Sequence, residues 1–98
     1  MAETYCVFNP TRMSFVSLSV SLANTPLSRL KGLLFRRRLK ADEGIWVVPS
    51  RGIHTFGVLF PIDVIYLDRS DRVIDLIEHL GPFRVAPMRI HCATILEL

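Results

Sequence analysis

The chain has 98 residues, half of them apolar and 21% charged. That composition excludes a disordered chain, and at this length roughly 65% of the unfolded surface is buried on folding, which supports one core and excludes a second lobe. A single domain over residues 1–98 is expected. The net charge is +3, but the excess is local: Arg29, Lys31, Arg36, Arg37, Arg38 and Lys40 carry six of the twelve cations with no acid among them. The other residues then sum to −3, so a basic segment sits on a slightly acidic protein. Such a segment attracts phosphate, acidic lipid or an acidic partner when it is not merely a solvated surface.

Taken in chain order, Tyr5–Phe8 is a short strand candidate stopped by Asn9-Pro10, and Pro10–Arg12 turns the chain back. From Val16 to Leu22, Val16, Leu18, Val20 and Leu22 alternate with Ser17, Ser19 and Ser21. Strict period two predicts a strand with one face in the core and one in water. Thr25-Pro26 then reads as a helix start, with Thr as N-cap and Pro at the first helical position. Leu27, Leu30, Leu33 and Leu34 follow at helical spacing, which predicts one helix near residues 25–35.

After a turn at Asp42-Glu43-Gly44, Ile45–Val48 is β-branched and aromatic, and Pro49 ends it. Ser50–Phe60 has no clean period and predicts a loop with short extended pieces. Ile62–Leu67 is nearly continuously apolar, which predicts a strand buried on both faces. Asp68–Asp71 is a polar turn, Arg72–Ile77 returns antiparallel, and Gly81-Pro82 and Pro87 break the chain before a last strand over Cys92–Leu98. The sum is an α+β, mostly β domain: a small antiparallel β-barrel or curled sheet of about six or seven strands with one helix near residues 25–35.

The longest apolar runs are about five residues, against the roughly twenty of a membrane span. The first residues, Met1–Tyr5, lack the basic and apolar regions of a signal peptide, so a cytoplasmic protein is expected. There Cys6 and Cys92 stay reduced, buried thiols rather than a disulfide.

Chemistry-bearing residues are sparse. His54, His79, His91, Cys6 and Cys92 lack the spacing of a zinc site, so neither metal nor cofactor is expected. Ser50, His54 and Asp63 are triad types without a nucleophile elbow, and no phosphate-cradling Gly-rich loop is present. The most informative stretch is Gly52–Asp63. Asp63 lies in an apolar strand, and a buried carboxylate requires a cation, hydrogen-bond donors or a proton; Arg29, Arg36 and His54 are the candidate partners. Trp46 and Phe56 would wall such a cluster. Aromatic walls with convergent polar groups compose a small-molecule pocket, while a polar cluster that serves folding alone is the plainer alternative.

Together, Arg29-x-x-Gly32-Leu33-Leu34-x-Arg36, Gly44-Ile45-Trp46-x-x-Pro49, Ile53-His54-Thr55-Phe56-Gly57, Phe60-Pro61-Ile62-Asp63-Val64-Ile65-Tyr66-Leu67-Asp68 and Ala93-x-x-Leu96-Glu97-Leu98 resemble the domain-of-unknown-function 192 family over about Thr25–Leu98. The resemblance implies a compact β-rich domain with one packed helix and no established activity. Many members carry a Trp-Met-Lys-Asn-Thr-like run between the His and the Pro; here it is the shorter Gly57–Phe60. The polar positions that match are Arg29, Arg36, His54 and Asp63, framed by Trp46, Phe56 and Pro61.

The expected function is a non-enzymatic module that binds a small ligand or an anionic partner, with Arg29, Arg36, Trp46, His54, Phe56 and Asp63 as its ligand-binding residues and no catalytic residue. One rival is a nucleic-acid or acidic-surface binder working through residues 29–40. The other is a hydrolase with His54 as base beside Asp63. The first reading requires Arg29, His54 and Asp63 to converge in one recess.

Overall fold

The computed structural model describes residues 4–25, 28–29, 33, 39–40 and 42–98. They form eight strands: β1 (Thr4–Asn9), β2 (Ser14–Ala23), β3 (Glu43–Val47), β4 (Ile53–His54), β5 (Ile62–Leu67), β6 (Val73–Leu80), β7 (Val85–Ala86) and β8 (Thr94–Glu97). Six make one sheet in the order β1-β2-β3-β8-β5-β6, and β4 pairs with β7 in a separate two-stranded ribbon. The fold is mostly β, as expected. The main sheet is curled but open, with β1 and β6 as its edges, so the curled sheet and not the closed barrel is correct.

Nor is the sheet all antiparallel. β2 and β3 run parallel, from Ser19 beside Glu43 to Ala23 beside Val47. Parallel neighbours need a long crossover, and residues 24–42 supply it. The helix expected near residues 25–35 belongs to this crossover and is not supported: most of it lies outside the described residues. What is described is its start. Thr25 Oγ1 accepts the Ser28 N–H at 3.1 Å, and Ser28 Oγ accepts the Thr25 N–H at 2.9 Å, a reciprocal cap. The Arg29 N–H then reaches the Thr25 carbonyl at 2.9 Å.

Ladder register divides the side chains into two faces. Ala23, Ile45, Val47, Ile62, Val64, Tyr66 and Ile95 line the core face, because Val47 stands beside Ala23 and Ile95, and Ile95 beside Tyr66. Leu33, Val58, Ala86 and Cys92 complete this core, with Ile53 packed against it from the ribbon. The opposite face carries buried Val20 and Leu96 beside half-buried Trp46.

Two burial expectations are corrected by this division. In β2, Val16 is exposed while Ser17 is buried and donates from Oγ to the Asp42 carbonyl at 2.6 Å. Bulges in the β1–β2 ladder break the simple alternation there. In β5, Ile62, Val64 and Tyr66 are buried, but Asp63 is exposed and Ile65 and Leu67 are only half-buried. One face of β5 is therefore core and the other is not.

Candidate functional site

The described residues expected to form one site divide among four sets of contacts. Arg29 acts on backbone: its guanidinium donates from Nη1 to the Pro49 carbonyl at 3.2 Å and from Nε to the Thr25 carbonyl at 3.4 Å. Trp46, in β3, makes an edge-on contact with Tyr5, ring centroids 5.9 Å apart. Its buried Nε1 has no partner among the described residues. Asp63 lies at a bulge between β5 and β6 and accepts the His79 backbone N–H at 2.9 Å. Arg36 lies outside the described residues. Among the described residues no hydrogen bond or ion pair joins Arg29, His54 and Asp63, so the expected shared recess is not built from their contacts.

His54 and Phe56 are brought together instead, and a residue that the sequence did not single out joins them. The ribbon register sets Ile53 beside Ala86, with Ala86 in the core, and leaves His54 and Val85 outside. The His54 ring stacks on Phe56, centroids 5.3 Å apart with 27° between planes. Phe56 in turn faces Phe83 at 6.3 Å. Both phenylalanines are exposed, Phe56 at 49% and Phe83 at 69%. Three rings thus form a row on the surface rather than in the core.

The row is held from beneath by Thr55, which is fully buried. Its Oγ1 donates to the Gly81 carbonyl at 2.7 Å and accepts the Arg84 N–H at 2.8 Å. Its backbone N–H donates to the Arg84 carbonyl at 2.8 Å, and its carbonyl accepts the Phe83 N–H at 3.2 Å. The loop carrying Phe56 and the loop carrying Phe83 are therefore tied residue to residue. Phe83 has φ 57°, a left-handed conformation unfavourable for a bulky side chain. The Thr55 bonds fix it there, so the rings are pre-positioned. Gly81-Pro82 signalled the break before Phe83, but only the tertiary pairing of loops far apart in sequence carries it to Phe56.

The buried carboxylate exists, at Glu97 rather than Asp63. Glu97 is 7% exposed and stands between Ile45 of β3 and Val64 of β5 on the core face. Burial pushes its carboxyl up to about 7, because no described charge offsets the loss of water around the anion. Both acids are flanked by apolar residues in sequence. The difference is that β8 is central in the sheet, while Asp63 meets a bulge beside the edge strand. Cys92 is also buried, and burial raises its thiol above the usual range. Cys6 is exposed rather than buried as expected, and no disulfide joins the two. Among the described residues no three His, Cys, Asp or Glu side chains cluster as metal ligands, and no helix is long and apolar enough to cross a membrane.

Comparison with known proteins matches residues 7–98 to the profile of DUF192, described as "Uncharacterized ACR". The chain belongs to the DUF192 family. It is 35% identical over 74 residues to a UPF0127 protein from Thermococcus kodakarensis, covering 70% of this chain and 46% of that one. The DUF192 chain thus spans about half the length of this curated relative. Two solved structures share its fold. One, a protein of unknown function from Novosphingobium aromaticivorans, has TM-score 0.76 at 20% identity, with 99% of this chain and 82% of that chain covered. The other, a putative transcription regulator from Sinorhizobium meliloti 1021, has TM-score 0.80 at 22% identity, with 95% and 76% covered.

Proposed function

We propose that this DUF192 chain is a non-enzymatic binding module whose site is the His54–Phe56–Phe83 row, and that its ligand is a small molecule with a flat ring or sugar face. One observation carries this reading: three exposed rings in successive contact, His54 on Phe56 and Phe56 on Phe83, on two segments tied together by a buried threonine. An exposed ring loses little conformational freedom when a ligand stacks on it, and a pre-positioned one loses less. Arg84 is exposed and adjacent to Phe83 in sequence, and in this reading its guanidinium is the candidate polar donor to the ligand. Of the residues expected from sequence, His54 and Phe56 stay in the proposed contact set. Arg29, Trp46 and Asp63 make their own contacts with Pro49, Tyr5 and His79 and stay outside that set, and Arg36 is kept as a candidate. The proposal includes a cytoplasmic setting, in which both thiols stay reduced.

Nothing in the geometry favours the hydrolase reading, since the His54 ring is engaged with Phe56 and Asp63 with a backbone amide. The test is an amide NMR titration with a panel of monosaccharides, nucleosides and aromatic metabolites. Saturable shifts confined to residues 53–57 and 81–85, lost in Phe56→Ser/Phe83→Ser, are expected from at least one compound. Absence of such shifts across the panel, or shifts that survive the double variant, would overturn the reading. Nucleosides alone binding, and more tightly as strands lengthen, would move the protein to nucleic-acid recognition.

A further inference from the structure

A concavity lined by none of the row's three rings lies elsewhere in the fold. It is an open cleft of about 1040 Å³ formed by three segments: Pro49–Arg51 after β3, Asp68–Ser70 in the β5–β6 turn, and Met88–Ala93 before β8. The segments are cross-tied by backbone. The Arg89 N–H donates to the Arg51 carbonyl at 3.0 Å, the Ser50 N–H to the Ala93 carbonyl at 3.0 Å, and the Ala93 N–H to the Leu67 carbonyl at 2.8 Å. Tyr66 adds a bond from its hydroxyl to the Pro87 carbonyl at 2.7 Å. Gly52 permits the close approach: a Cβ there would stand 2.9 Å from the Ala86 carbonyl oxygen and 3.0 Å from the Met88 nitrogen. The cleft is thus a built feature with fixed walls.

Its lining has two characters. Arg51, Arg69 and His91 are exposed, and among the described residues no side chain pairs with either guanidinium. The nearby Asp68 is already engaged, its Oδ1 accepting the Ser70 and Arg72 N–H groups at 2.8 and 3.0 Å. Those bonds hold its carboxyl below the usual range, that to Arg72 most. Two arginines against one carboxylate leave one positive charge. Beside them, Met88 and Ile90 are 73% and 81% exposed, and Ile74 closes the same wall. Exposed apolar side chains rimmed by unpaired guanidinium groups mark a recognition surface rather than an incidental patch.

We propose that this cleft binds an amphipathic carboxylic acid, the carboxylate forked by Arg51 and Arg69 and the apolar body laid over Met88, Ile90 and Ile74. The single net charge matches a monoanion, and the planar guanidinium fork matches a carboxylate's two oxygens. A head group alone would leave the apolar wall in water, and a neutral body alone would leave the arginines unanswered. Both halves of the ligand are therefore required. This proposal is independent of the ring row, because no residue is shared between the two sites.

The test is an amide NMR titration of the folded chain with 4-phenylbutyrate, with acetate, 4-phenylbutan-1-ol and phenyl phosphate as comparisons. Phenylbutyrate is expected to give saturable shifts in residues 49–52, 68–70 and 88–93, and to bind at least about tenfold more tightly than acetate or the alcohol. Arg51→Gln/Arg69→Gln should weaken it by about tenfold or more, the scale of one charge-assisted pair. Met88→Ser/Ile90→Ser should bring its affinity down to that of acetate. All four positions are exposed, so the variants keep the fold and can be checked by their unchanged spectra elsewhere. Equal affinity in the arginine variant, tighter binding of the alcohol or the phosphate, or shifts centred on residues 53–57 and 81–85 would each overturn it.

Discussion

The Asp63 carboxylate accepts the backbone N–H of His79 at 2.9 Å, across the bulge where β6 bends and His79 takes φ 55°. A left-handed residue in a strand turns its amide out of the ladder, and Asp63 supplies the acceptor that the ladder no longer provides. Because Asp63 is exposed, its removal lets water take over that amide. Asp63→Ala should therefore cost about 1 kcal/mol, the net worth of one accessible hydrogen bond, and not the 3–5 kcal/mol of a broken buried pair. Asp63→Asn, which keeps an acceptor oxygen, should cost less. Urea denaturation at pH 7 distinguishes these values.

Glu97 is where burial acts on a carboxylate. Its folded pKa of about 7 lies above the ordinary 4.5, so the folded state holds its proton while the unfolded state has lost it. Below pH 4.5 both states are protonated and burial carries no charge penalty. Stability then falls as pH rises from about 4.5 to 7, by about 3 kcal/mol in total, and the penalty is complete above that. The stability difference between Glu97→Gln and the unsubstituted chain should shift in favour of the variant by this amount between pH 4.5 and pH 8. A difference that stays flat with pH would show that Glu97 is solvated.

Thr55 is the tie between the two ring-bearing loops. Thr55→Val preserves shape but leaves the Gly81 carbonyl and the Arg84 amide without their hydroxyl partner. A loss of about 1–3 kcal/mol is expected, the cost of buried polar groups left unsatisfied. Phe83, no longer held at positive φ, should also lose its contact with Phe56. Disappearance of nuclear Overhauser effects between the two rings in the variant, with the remaining core contacts intact, is the check.

The two cysteines should differ sharply towards thiol reagents. Cys92 is 3% exposed, its thiol raised by burial and its Sγ–H donating to the Ser50 and Thr94 carbonyls at 3.3 and 3.2 Å. Thiolate is the reactive form, so iodoacetamide at pH 8 should modify Cys6 and spare Cys92 until the chain is unfolded. Intact-mass spectrometry should show a single adduct under native conditions and a second in denaturant.

Much of the local structure was legible in the chain itself. Period two marked β2, Asn9-Pro10 marked its hairpin with β1, Pro49 marked the end of β3, and Thr25 marked a cap that the structure forms with Ser28. The motifs from Arg29 to Leu98 pointed to the DUF192 family. These signals are local: each depends on the preferences of a few adjacent residues for a turn, a strand or a cap.

What the tertiary structure decided is non-local. Asp63 and Glu97 have equivalent apolar neighbours in sequence, and only the sheet order separates them. β8 is enclosed by β3 and β5, whereas Asp63 sits at a bulge beside an edge. The meeting of Phe56 with Phe83, and the placing of Arg51 and Arg69 along one cleft, depend on loops brought together by strand pairing. Desolvation and contact are properties of what surrounds a residue in space, and a one-dimensional pattern records only what precedes and follows it.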